Sequence, residues 1–134
     1  MRKTEAQKLA SEIVAEYLPD WKAKCIDDEN HPMYQYMMVQ WKGALACSDY
    51  HVDTIWLSPA GWIDQNVSDV VETVKHEIAH SLTHSRVWRK KNWHGKLWQN
   101  TLRKLLNDKK FYDYGNDVNK IVREEAKNAQ EAGC

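Results

Sequence analysis

Apolar positions recur along this chain in two rhythms, one of three to four residues and one of shorter runs, and together they divide it into elements. Over residues 4–17, Leu9, Ile13, Val14 and Tyr17, continued by Leu18, fall on one face of a helix, and Pro19 marks its stop. The stretch from Trp21 to Ile26 predicts a strand, and Asp27-Asp28-Glu29-Asn30-His31-Pro32 has the composition of a turn. Tyr34 to Trp41, rich in Tyr, Met, Val and Trp, predicts a second strand that Gly43 breaks. Ala44–Ser48 and Asp53–Leu57 predict two more, and Ser58-Pro59-Ala60-Gly61 turns the chain toward a long helix.

That helix carries the longest pattern. Val67, Val70, Val71, Val74, Ile78 and Leu82 build its core-facing stripe, with Ser68 or Asp69 as its N-cap. Asp69 and Glu72 place negative charge in its first turn, and the helix ends near Ser85 or Val87. Asn92 is the expected cap of a further helix carrying Leu97, Trp98, Leu102, Leu105 and Leu106, which ends around Asn107-Asp108. Phe111 to Gly115 is turn-like, and residues 116–132 predict a charged C-terminal helix with Val118, Ile121 and Val122 as its apolar contacts. No repeat, low-complexity linker or boundary interrupts this order, so residues 1–134 are expected to form one α+β domain with its core at 4–107.

Composition adds less than charge. A chain of 134 residues can bury about two thirds of its unfolded surface and needs no staple to fold. Cys25, Cys47 and Cys134 form no CxxC pair and suggest neither a disulfide framework nor a zinc ribbon. The N-terminus lacks an apolar signal core, and no apolar run reaches bilayer length. A reduced, soluble, cytoplasmic protein is the expectation. Net charge is zero but segregated: residues 1–80 carry seven basic and thirteen acidic side chains, residues 81–110 nine basic and one acidic. That asymmetry points to a partner, not to a fold.

The chemistry is concentrated where the basic block begins. His76-Glu77-Ile78-Ala79-His80 reads HExxH. Residues four apart lie one turn apart on one helix face, so both imidazoles can point at one metal. Glu77, about 100° around the helix, borders that metal without ligating it and can serve as general base to a zinc-activated water. A catalytic zinc takes three protein ligands, and His84 and His94 are the candidates for the third. His76, His80 and His84 would span about 12 Å of helix axis, whereas each ligand nitrogen must lie about 2.1 Å from the metal. His94, at the start of a second helix, can approach from outside the first and is favoured. His84 is a partly exposed helix histidine or a substrate-facing group, and His31 and His51 receive no role.

The strand Ile55-Trp56-Leu57-Ser58, the helix with HExxH, and His94-Gly95-x-x-Trp98 together resemble the SprT-like family of zinc metallopeptidases, which includes the Spartan proteases. The resemblance covers roughly residues 4–107 and is strongest from Ile55 to Trp98. It implies a compact, zincin-like α+β domain: an N-terminal helix on a small, mostly antiparallel sheet, then the HExxH helix and further helices. It implies one catalytic Zn2+ on His76, His80 and His94, with Glu77 as base. Many members add a C-terminal zinc ribbon or long tails, which this sequence does not show.

Family resemblance also implies an association with DNA and a role in proteolysis of DNA–protein crosslinks. Arg86, Trp88, Arg89, Lys90, Lys91, Trp93 and Lys96 are the candidate DNA contacts. Here basic residues would track phosphates and tryptophans would stack on unpaired bases, so single strands or junctions are favoured over a sequence-specific duplex. Two other readings compete with this one: a DNA-binding module whose zinc is only structural, and a narrow-specificity metallopeptidase that makes no use of DNA. Glu77 argues against the first, because a structural site has no need of a base beside the metal.

Overall fold

A computed structural model describes residues 1–87 and 94–111, the side chains of 85–87 excepted. The predicted C-terminal helix at 116–132 and the cap at Asn92 lie outside the described residues. The fold is α+β: α1 (Lys3–Tyr17), β1 (Lys22–Cys25), α2 (Pro32–Gln40), β2 (Ala46–Asp49), β3 (Thr54–Leu57), α3 (Val67–Val87) and α4 (Lys96–Asn107), with a short 3-10 turn at Pro59–Gly61.

The three strands form one mixed sheet in the order β1-β3-β2. The β1 strand runs parallel to β3, with Ala23 opposite Ile55, and β2 runs antiparallel to it, with Ser48 opposite Ile55. Alternation along the strands divides the interior. Ala23, Cys25, Ile55 and Leu57 join Leu9, Ile13, Val14, Val70, Val71, Val74 and Ile78 in the main core beneath α1 and α3. Cys47 faces away from it and joins Ile26 and Met37 in a smaller cluster under α2, with Trp56 packed against it.

One predicted strand is a helix. Tyr34–Trp41 falls in α2 and its C-cap. Pro32 occupies the first turn, where its missing N–H costs nothing, and His31 Nδ1 accepts from Met33 N at 3.0 Å. A strand half-buried on the sheet would alternate. Here Met37 alone is fully buried and Val39 is 81% exposed, so the aromatic and Met-rich composition misleads about the backbone.

The sheet's two edges are treated differently. At β1 the Gln7 side chain of α1 imitates a neighbouring strand, its Nε2 donating to Ala23 O at 2.7 Å and its Oε1 accepting from Cys25 N at 3.0 Å. The other edge, β2, runs beside α3.

The α3 helix starts earlier than expected. Asn66 Oδ1 accepts from Asp69 N at 2.8 Å, so the cap is Asn66 and not Ser68 or Asp69. Leu82, expected in the stripe, is 44% exposed, and a lysine takes a core position instead. Lys75 is 0% exposed; its Nζ donates to Leu105 O at 2.6 Å and Asp108 O at 2.8 Å, the carbonyls at the C-terminal end of α4. Burial lowers its pKa, opposed by the nearby Asp108. Tyr17 lies beneath the ammonium and donates to the Asp108 carboxylate. Thus α4, which begins at Lys96 with Gly95 as its N-cap, is bound to α3 by a buried charge as well as by Trp98 and Leu105.

Candidate functional site

The α3 helix delivers His76 and His80 on one face, as the four-residue spacing requires, and their Nε2 atoms stand 3.2 Å apart. His94, just ahead of α4, brings its Nε2 to 3.0 Å from that of His80. The ring of Trp98, one turn into α4 and 8% exposed, packs against all three imidazoles, with centroids 4.8 Å from His76, 5.1 Å from His80 and 4.5 Å from His94. It acts as a floor that fixes the rings' orientation.

Among the described residues, His76, His80 and His94 are the group of three whose ligand atoms all lie within 4.8 Å of one another. Two nitrogens on one tetrahedral zinc, each about 2.1 Å away, stand about 3.4 Å apart. The observed 3.2 and 3.0 Å are close to that spacing, so the donor set fits such an ion. Protonation agrees. Burial and the charge of His94 lower the pKa of His76; burial, with His76 and His94, lowers that of His80 to about 4. Neutral imidazoles present lone pairs, the form that ligates. His84, the competing candidate, stands outside this group and stacks on Tyr50 at 3.7 Å.

Glu77 points instead toward β2. Ser48 Oγ lies 2.9 Å from its Oε2 and 3.1 Å from its backbone O, and Ser81 Oγ lies 3.1 Å from the same backbone O. Each serine has one proton, so Ser81 can satisfy the carbonyl while Ser48 donates to the carboxylate. Burial raises the Glu77 pKa to about 7, and the Ser48 hydrogen bonds pull it down. The Tyr50 hydroxyl also engages Ser48 and Ser81, and its pKa is pushed up to about 12 by burial and by the charge of Glu77.

These groups share a cleft of about 350 Å³, with His76, Glu77, His80 and His94 on one side and Trp41, Ala44, Ala46 and Cys47 on the other. Sequence reading missed Ser48, Tyr50 and Ser81. Ser81 stands four residues beyond Glu77 on the same helix and was within reach of a spacing argument. Ser48 and Tyr50 reach Glu77 only through the fold. Lys96, of the candidate DNA contacts, is exposed in the first turn of α4 beside His94. Arg86 with its side chain, Trp88, Arg89, Lys90, Lys91 and Trp93 lie outside what the structure describes.

A helix carrying two histidines and a glutamate, met by a third histidine just ahead of the next helix, makes a group that could hold one metal ion. The SprT-like family model matches residues 16–119, and this chain belongs to the SprT-like family. No curated protein and no solved structure matches the chain. Among the described residues, no helix is long and apolar enough to cross a membrane.

Proposed function

We propose that this chain is a zinc-dependent metalloendopeptidase. The observation that carries the reading is the convergence of three imidazoles beside a buried carboxyl group in one cleft. His76, His80 and His94 would hold the ion, which when bound supplies a Lewis acid and brings the pKa of a coordinated water toward neutrality. The chain's own residues do the rest. Glu77 takes a proton as water attacks the scissile carbonyl carbon, and returns it to the amide nitrogen as the C–N bond breaks. Ser48 anchors Oε2, leaving Oε1 to accept and release that proton. Trp98 keeps the ligand rings from turning away.

The substrates we infer are DNA-associated proteins, as in crosslink proteolysis. Support for this comes from the charge map: residues 81–110, carrying nine basic side chains and one acidic, include His94, one of the three candidate ligands. Lys96, Arg103 and Lys104 are exposed along α4. Purified zinc-loaded protein, incubated with a DNA-binding protein alone, with single strands and with duplex, should cleave most in the presence of DNA. Binding to DNA should weaken steeply between about 50 and 200 mM salt, as counterion release requires. Equal cleavage with and without DNA would favour a peptidase indifferent to it. Zinc retention without cleavage in every condition would leave a non-catalytic zinc domain.

A further inference from the structure

The cleft's second wall has no part in the mechanism above. It consists of Trp41, Ala44, Ala46 and Cys47, and among the described residues lining the cleft none is Lys or Arg. Trp41 is 53% exposed, whereas Trp62 and Trp98 are buried. It is nevertheless held in place. Its backbone N donates to Met37 O at 2.7 Å, its O accepts from Ala44 N at 2.9 Å, and its ring meets Tyr36 edge-on at 6.2 Å.

The backbone behind it is clamped from the far side. Ser58, fully buried, donates through Oγ to Ala44 O at 2.7 Å and through N to Leu45 O at 2.9 Å. Gly61 packs so closely on Leu45 that a Cβ there would overlap its carbonyl oxygen. An exposed aromatic ring on a fixed backbone, lining the same hollow as the catalytic groups, matches the general design of a binding pocket: apolar walls with a few polar groups.

Resting on the peptidase reading, we propose that Trp41, Ala44, Ala46 and Cys47 form a subsite for one apolar side chain of the polypeptide next to the bond cleaved, with Trp41 as its specificity determinant. Among the described residues that line the hollow, the one carboxyl group is Glu77 and none is Lys or Arg, so a nucleotide phosphate is unsuited to it and an aliphatic or aromatic side chain is suited to it.

The test has two arms on the full, zinc-loaded chain. In the first, an unstructured protein is digested and the residues flanking each cleaved bond are read by mass spectrometry. Leu, Met, Phe or Val should be enriched about tenfold or more over Asp at one fixed position, the discrimination an apolar pocket provides. Trp41→Ala should erase that enrichment while leaving preferences at other positions intact. In the second, labelled Gly/Ser peptides bearing a single Leu, Phe or Asp are bound to Glu77→Gln protein. The Leu and Phe peptides should bind more tightly, and Trp41→Ala in that background should weaken them selectively. No apolar preference in either arm, or one that Trp41→Ala leaves untouched, overturns the subsite. Single-stranded DNA displacing the Phe peptide from Trp41, with Leu and Asp peptides equal, would make the tryptophan a base-stacking platform instead. Absence of cleavage with the binding preference intact would sink the peptidase reading and leave the subsite standing.

Discussion

The two walls of the cleft are built on opposite plans. On the α3 side the side chains are polar, one helix sets the spacing of His76, Glu77 and His80, and a single buried tryptophan supports the three imidazoles. On the Trp41–Cys47 side they are apolar, and their positions depend on hydrogen bonds to Ser58 and a close approach to Gly61, distant in sequence. Chemistry is written here in local spacing, and the shape of the site is written in tertiary contacts. Substitutions on the two walls should therefore fail differently, the first through rate and metal, the second through substrate choice.

The largest effect is expected at Glu77. Glu77→Gln should lower the cleavage rate by about 10²- to 10⁴-fold, the usual contribution of general acid–base catalysis. Zinc content by elemental analysis and the melting curve should stay at wild-type levels; loss of either would mean that Glu77 is structural. Next comes the choice of ligand. His94→Ala should weaken zinc binding more than the roughly 10- to 100-fold typical of losing an outer-sphere partner, whereas His84→Ala should change it little. Competition with a chelator reads both, and the reverse order would move the third ligand onto α3.

Gly61→Ala tests the other wall. Its methyl group must displace the Leu45 backbone, a strain of about 1–3 kcal/mol visible in urea unfolding. Because that backbone carries the apolar wall, KM should rise more than kcat falls; a rate loss at constant KM would detach Gly61 from the substrate side. The smallest effect should lie at the far edge of the sheet. Gln7→Leu removes the paired bonds to Ala23 and Cys25 and should cost about 1 kcal/mol with no change in peptide preference.

The same division explains what the sequence made legible. The stripe Val67–Ile78 and the pair His76/His80 follow from helix periodicity, and the choice of His94 over His84 follows from the length of a helical turn; among the described residues the structure brings His76, His80 and His94 together. Tyr34–Trp41 went the other way. Short apolar runs carry no decisive period, and what makes this one helical is a proline and a histidine cap outside the run. Lys75 was equally hidden. A lysine in a helix reads as solvent-facing, and only the approach of α4's terminal carbonyls makes its burial tolerable. Ser48's place opposite Glu77 depends on β2 lying along α3, which no window of sequence contains.

Lys75 also bears on how the domain breathes. Were α4 to peel away alone, the Lys75 ammonium would lose its hydrogen bonds to the Leu105 and Asp108 carbonyls, at about 1.5–3 kcal/mol each. Loosening of α4 and loosening of the core around α3 are thereby tied into one event. Backbone amides of the two helices should exchange with deuterium at a common opening free energy instead of in two steps, and Lys75→Met should split them. A candidate metal site assembled from α3 and from His94, just ahead of α4, then rests on a single cooperative unit, in which α4 cannot carry His94 away without opening the fold.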